Sequence, residues 1–177
     1  GGGTVGDAAG FVAATFKRGV PLVHVPTTLL AQVDSAIGGK VGMNEAGAKN
    51  VVGTFYSPSL VYVNLEVLKK LEPRAWRSGW AEVIKIAAVA DARLWQWLEK
   101  GPPLQKETKR LAAIIQRAIL AKGQIVRQDP KDQKGVRAKL NFGHTIGHAV
   151  ESHGHLQKWS HGEAVAIGMV EESLIAK

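Results

Sequence analysis

An α/β layer followed by an all-helical part is the fold class this sequence predicts, and three observations predict it. Before residue 65, short apolar runs bounded by prolines or polar residues, VPLVHVPTT at 20–28 and SLVYVN at 59–64, are interleaved with helical stretches. From Pro73 onward apolar residues recur at helical spacing, interrupted by GPP at 101–103 and the polar PKDQKG at 130–135. Of the 177 residues 45% are hydrophobic, enough for one large domain or two small ones with ordinary cores. The expected division is an α/β part over 1–65 and a helical part over 66–177.

The elements follow in order. After the opening GGGTVGD, AAGFVAATFKRG reads as a helix ending at Arg18 and Gly19. VPLVHVPTT then reads as a buried strand. LLAQVDSAIGGKVGMNEAGAKNVVGTF begins as a short helix and continues as a glycine-rich loop, of a length that is usually functional. SLVYVN is a second buried strand running into LEVLKKL. PRAWRSGWAEVIKIAAVADARLWQWLEK is read as one helix with Pro73 at its first position, where the missing N–H costs nothing. ETKRLAAIIQRAILAKGQIVRQD forms another long helix. KLNFGHTIGHAVESHG and SHGEAVAIGMVEESLIAK supply two more, the last expected to be amphipathic. The chain opens in a glycine turn without Met and stops in a helix without a cap, as expected of a piece of a longer protein.

Charge and composition narrow the function. Lys and Arg outnumber Asp and Glu by 23 to 15, a formal charge of +8, so anions are the expected partners. The basic residues are scattered singly, unlike the runs of a nucleic-acid surface, which favours a small phosphorylated or carboxylated molecule. No apolar run reaches membrane-spanning length and no signal-like start occurs, so a soluble cytoplasmic protein without a membrane partner is expected. Cysteine is absent, which leaves His, Asp and Glu as the strong ligands for a zinc-like ion.

Five of the six histidines fall within NFGHTIGHAVESHGHLQKWSHGE, residues 141–163. His144 and His148 are four apart and share a helix face, and His161 opens the next helical segment, where a turn could bring it alongside. A catalytic zinc commonly takes three protein ligands and keeps one position open. An isolated HxxxH more often just lines a helix surface, and His153 and His155, flanking a glycine, read as solvated. Glu82, in the apolar GWAEVIKIAAV, is the candidate carboxylate ligand; the alternative is an intrahelical ion pair with Lys85, one turn on, worth about 0.3–0.5 kcal/mol. GGGTVGD contains GxGxxG at Gly1, Gly3 and Gly6, which would suit a dinucleotide pyrophosphate, though a ligand-free glycine turn is at least as common. Asp34, Lys40, Lys49 and Asn50 stand in or beside the glycine-rich loop, a composition able to close around an oxyanion. Arg137 and Asn141 add anion donors, Arg with a fork that matches a phosphate or carboxylate.

Taken together, GGGTVGDAAGFVAATFKRG, VPTTLLAQVDSAIGGKVGMN, AKNVVGTFYSP, SGWAEVIK, LNFGHTIGHAVE and HGEAVAIGM, in this order, closely resemble 3-dehydroquinate synthase. The resemblance implies a Rossmann-like NAD-binding α/β part followed by a helical metal-binding domain. It implies an enzyme that uses NAD and Zn2+ or Co2+ to convert 3-deoxy-D-arabino-heptulosonate 7-phosphate into 3-dehydroquinate and phosphate, a step of aromatic amino acid biosynthesis. Carried over residue by residue, Glu82, His144 and His161 would be the metal ligands. Gly2, Gly3, Val5, Asp7, Thr27, Thr28 and Asp34 would lie at the NAD. Lys40, Lys49, Asn50, Lys85, Lys122, Arg137 and Asn141 match substrate-contacting positions, with Lys49 placed also at the cofactor, and His148 matches an active-site position near the phosphate. Arg18 matches a residue that reaches a neighbouring subunit's site, implying a homodimer. Two departures stand out: Lys70 where the family usually carries Thr, and Gln133 where an acidic residue near the substrate arginine is expected. Other sugar-phosphate cyclases, such as 2-deoxy-scyllo-inosose synthase, and polyol dehydrogenases like glycerol dehydrogenase are the nearest rivals, and GGKVGMN favours the dehydroquinate enzyme.

Overall fold

The computed structural model describes residues 1–45, 48–101, 108–153 and 158–177, with the side chains of 44–50 outside that description. Helix α1 (Gly3–Thr15) starts inside the glycine turn and packs on strand β2 (Lys40–Glu45), with Gly10 buried against Val41. Lys17, Arg18 and Gly19 all adopt positive φ (47°, 66° and 116°), which turns the chain back towards β1 (Val23–His24). That turn is pinned where the Tyr56 hydroxyl donates to the Val20 carbonyl at 2.7 Å.

β1 pairs in parallel with β4 (Leu60–Val61), in register Val23 to Leu60 and His24 to Val61. Both segments were expected to be buried strands. They are two-residue ladders with Val23 and Leu60 each 54% exposed. Parallel strands are covered on both faces only where a sheet extends to either side and helices flank it. Among the described residues this sheet has just the two strands.

The expected glycine-rich loop is a hairpin. After a π-helical turn at Ala31–Ser35, β2 pairs antiparallel with β3 (Ala48–Phe55), from Lys40 opposite Phe55 to Glu45 opposite Ala48, with a register shift between Met43 and Glu45. Glycine at the facing positions 42 and 53 erased the period-two pattern that announces a strand, while leaving the backbone ladder intact.

The helical part begins with α2 (Pro73–Ala90), Pro73 in its first turn. The single helix expected over 73–100 is in fact two. Asp91 turns extended (φ −152°, ψ 90°) and its carboxylate accepts from the N–H groups of Arg93 and Leu94, both at 3.0 Å, capping α3 (Ala92–Leu98). Asp bonded to its own following backbone competes with helix continuation. Arg117 of α4 (Thr108–Gln128) donates to the same carboxylate at 2.9 Å, so the break also docks the next helix. α5 (His144–His153) and α6 (His161–Ile175) complete the chain.

Leu29, Val33 of the π turn, Leu68, then Val83 and Ile86 of α2, Leu94 of α3 and Leu111, Ile114 and Ile115 of α4 belong to one core. α6 is not the amphipathic helix expected. It buries Ala164, Val165 and Met169 yet leaves Val170 and Leu174 59% and 57% exposed, because small residues carry its inner contacts. No helix among the described residues is long and apolar enough to cross a membrane.

Candidate active site

Three helices meet end-on to side. α6 packs on α2 and α5 on α6; each of α5 and α6 begins with a histidine, and both histidines reach Glu82 in the middle of α2. Close approach makes this possible. A Cβ at Gly162 would collide with the backbone of Ser78, and one at Gly168 with the Gly143 carbonyl. The Gly162 N–H donates to Ser78 Oγ at 3.0 Å, tying the first turn of α6 to α2. Ser160 and Glu163 form a capping box, and Arg74 of α2 donates to Glu163 at 2.8 Å and to the Lys158 carbonyl at 2.6 Å. Glu172 accepts from the N–H groups of Gly143 (2.6 Å) and Ile146 (3.2 Å), which fixes the start of α5 where a negative charge suits the helix dipole.

Glu82 is fully buried in the convergence. His161 Nε2 lies 3.3 Å and His144 Nε2 3.8 Å from Glu82 Oε1, and one ligand atom from each of the three residues falls within 4.8 Å of the others. The alternative reading of Glu82 also holds: Lys85 Nζ stands 2.5 Å from Glu82 Oε2. Even so, neither carboxylate oxygen has a hydrogen bond of good geometry, so the charge contact leaves directional capacity unused. Burial alone would lower the His161 pKa, but the Glu82 contact, aided by Glu151 and Asp34, raises it. For His144 burial dominates and the nearby Lys85 adds to it, so that ring is pushed towards neutrality. His144 Nδ1 lies 3.3 Å from the Phe142 carbonyl, which turns its Nε2 inward.

A band of cations adjoins these groups. Lys122 Nζ is 2.5 Å from Asp34 Oδ1 and donates to the Asp34 carbonyl at 2.7 Å, while Lys85 lies 4.0 Å from the same carboxylate. Burial would raise the Asp34 pKa, but Lys122 and Lys85 outweigh it and hold the carboxylate well below its ordinary range. Lys40 meets Asp132 at 2.6 Å. Buried Arg137 donates to the carbonyls of Gly38 (3.1 Å) and Pro130 (3.3 Å). Asn141 ends the preceding 3₁₀ turn, exposed. His148 is exposed on α5 with its ring 5.2 Å from that of His144. Lys49 and Asn50 lie on β3, but their side chains fall outside the described residues, as does His155; His153 is exposed.

Several of the positions that the resemblance assigns to a nucleotide lie around the start of α1, while Asp34 belongs to the cation band. Gly2 precedes α1 in extended conformation, no side chain caps that helix, and Gly2, Val5, Gly6, His24 and Ser35 help line a cleft of about 230 Å³. Thr28 Oγ1 accepts from the Ala31 N–H at 3.1 Å, so it starts the π turn, and Thr27 N–H donates to the Gly1 carbonyl at 2.9 Å. Asp7 faces inward from α1; burial, then the charge of Asp34, raises its pKa to about 6 against the pull of Lys122. Arg18 is exposed, and Lys70 is exposed at the end of a 3₁₀ turn.

Sequence reasoning did not single out Glu151, Asp132, Ser78 or Glu172. The turn expected to lack an acid at Gln133 holds two: Asp132 on Lys40, and buried Asp129, which accepts from the N–H groups of Gln133 (2.8 Å) and Lys134 (3.1 Å). Glu151 was within reach of the pattern, since it stands seven residues after His144 and therefore on the same helix face.

Two family models match the chain, with their boundary after residue 78. Residues 1–78 match the 3-dehydroquinate synthase N-terminal family and residues 79–177 the 3-dehydroquinate synthase C-terminal family. The 3-dehydroquinate synthases of Pelotomaculum thermopropionicum and Dehalococcoides mccartyi are 50% and 51% identical over 178 and 171 residues, 99% and 96% of this chain. Those stretches are 48% and 47% of the two relatives, so the chain spans about half their length. Among solved structures, a 2-deoxy-scyllo-inosose synthase complexed with carbaglucose-6-phosphate, NAD+ and Co2+ is 33% identical with TM-score 0.90, covering 99% of this chain and 49% of that one. A 2-epi-5-epi-valiolone synthase from Streptomyces hygroscopicus subsp. jinggangensis with NAD+ and Zn2+ bound is 32% identical with TM-score 0.87, covering 95% and 47%.

Proposed function

The chain belongs to the 3-dehydroquinate synthase family, and from that premise we propose that the protein carrying it converts 3-deoxy-D-arabino-heptulosonate 7-phosphate into 3-dehydroquinate and phosphate, with NAD and a divalent Zn2+ or Co2+ ion. The observation that carries the reading is the meeting of Glu82, His144 and His161 beside Lys85 and Lys122.

The residues fit both groups. Two imidazole lone pairs and a buried carboxylate without well-formed hydrogen bonds are a hard-to-borderline donor set that a divalent ion satisfies, and the 3.3 Å between His161 and Glu82 matches the roughly 3.4 Å expected between ligands of a tetrahedral zinc. The cleft at the uncapped start of α1, floored by glycine backbone, fits a pyrophosphate. When bound, the ion would acidify a substrate hydroxyl and NAD would accept and return a hydride.

The chain's own residues would do the rest. Lys40, Lys85, Lys122 and Arg137, with Lys49, Asn50, Asn141 and His148 as further contacts, would bind the phosphate and carboxylate of the substrate and stabilise charge as a phosphate dianion leaves. Buried Lys85, Lys122 and Arg137 do this with little reorganisation, and Asp34 holds Lys122 in place beforehand, as Asp132 holds the exposed Lys40. Holding the open-chain product in one pocket favours the closing carbon–carbon bond. In this reading residues 1–65 are the C-terminal portion of a Rossmann-like NAD-binding domain, with Gly2, Gly3, Val5, Asp7, Thr27, Thr28, Asp34 and Lys49 at the cofactor, and 66–177 a helical metal- and substrate-binding domain. In this reading the protein is also a cytoplasmic homodimer in which the exposed Arg18 reaches the partner's site.

The cyclase neighbours that are 32–33% identical favour a second reading, a different sugar phosphate, against relatives that reach 51% identity as dehydroquinate synthases. The intact protein is offered the heptulosonate phosphate, glucose 6-phosphate and glycerol with catalytic NAD. The expected result is phosphate release from the first alone without accumulation of NADH; turnover of glucose 6-phosphate, or net NAD reduction with glycerol, overturns it.

A further inference from the structure

His161 is gripped from both sides. Its Nε2 faces Glu82 at 3.3 Å, and its Nδ1 faces a second buried carboxylate, Glu151 Oε1, at 3.4 Å. Glu151 is 3% exposed, and a carboxylate at such depth needs donors aimed at it. A neutral imidazole has one N–H and one lone pair, so the two carboxylates cannot both receive a proton from it. If Nε2 carried the hydrogen, the ring would donate to Glu82 and turn a lone pair on Glu151, and no cation could be ligated. With the hydrogen on Nδ1, Glu151 is satisfied and the Nε2 lone pair points at Glu82, an arrangement stable only with a positive ion between them.

We propose that Glu151 is a positioning residue for the metal centre: its carboxylate accepts the Nδ1 hydrogen of His161 and thereby presents Nε2 to the ion. The proposal rests on the Glu82, His144 and His161 reading. His144 has a parallel arrangement in which the Phe142 carbonyl faces its Nδ1. The two supports differ, because an anionic acceptor makes its imidazole the more basic ligand. Both come from one stretch of chain. Glu151 stands on α5, two turns beyond His144, so α5 supplies one ligand and orients the other across its contact with α6.

The test uses the intact protein, its Glu151→Gln and Glu151→Leu variants, and Co2+ as the probe, by chelator competition. The tautomer of His161 is read from imidazole ¹⁵N shifts in the Zn2+-loaded protein, Zn2+ being diamagnetic. Wild type is expected to bind one Co2+ per chain with the hydrogen of His161 on Nδ1. Glu151→Leu should weaken Co2+ by about 10–100-fold and shift the tautomer towards Nε2–H, and Glu151→Gln, which keeps an acceptor oxygen, should lose less. A merely structural role would lower the metal-free melting temperature without moving the tautomer. Should the Leu variant fail to fold, the Gln variant decides by the same two readouts. Unchanged Co2+ affinity and tautomer in a folded variant overturn the proposal. Failure of wild type itself to bind Co2+ at His144 and His161 overturns the metal reading instead, so the two failures are distinct.

Discussion

At the scale of single residues, each group near Glu82 has a role set by what it faces. His144 directs Nε2 inward while His153, nine residues on, is exposed at the end of the same helix. His144→Ala is therefore expected to abolish stoichiometric metal binding and His153→Ala to leave it intact, as measured by metal analysis after gel filtration. Asp7 gives a pH signature. Its carboxyl is raised from 3.8 to about 6, mainly by burial, so between those pH values the folded chain keeps a proton that the unfolded chain has lost. Stability conferred around this group falls as pH rises across that window, and Asp7→Asn is expected to flatten the slope of melting temperature against pH there. HxxxH spacing and an unexplained Glu82 marked two of the three residues that converge. Glu151 shares the helix face of His144, but a carboxylate there looks the same in sequence whether it faces solvent or a ring nitrogen.

At the scale of elements, glycine and caps decide the geometry. Gly162→Ala would drive a methyl into the backbone of Ser78, forcing α6 away from α2 and carrying His161 with it. A loss of about 1–3 kcal/mol of stability is expected, as for other overpacked contacts, together with weaker metal binding, and thermal melts with and without Zn2+ measure both. The helices from Pro73 onward were legible because their apolar period is strong and Pro73 marks the start. The break at Asp91 was not, since only its extended backbone and the docking of Arg117 distinguish a cap from one more polar residue on a helix. The β2–β3 hairpin hid behind glycines that serve a ladder as readily as a loop. The apolar runs at 20–28 and 59–64 promised burial that two-residue strands do not provide.

At the scale of the molecule, the α/β segment and the helices are joined by a polar seam. Asp34 binds Lys122 of α4 and approaches Lys85 of α2, the Gly38 carbonyl accepts from Arg137, and Lys40 pairs with Asp132. It includes Asp34, whose neighbour Ser35 lines the glycine cleft, and Lys85, which pairs with Glu82. Net charge of +8 does not say where cations gather; the folded chain brings Lys85 and Lys122 together at Asp34. The switch in period near residue 65 is a local signal, whereas the seam depends on contacts between residues 51 to 99 apart and is invisible to local pattern.

The central claim is that one divalent ion is held by Glu82, His144 and His161. Anomalous scattering from crystals of the intact protein grown with Zn2+ tests it most directly. The predicted result is one zinc per chain about 2.0–2.2 Å from a Glu82 oxygen and from Nε2 of both histidines. Zinc bound elsewhere, with these three side chains turned apart, would contradict it.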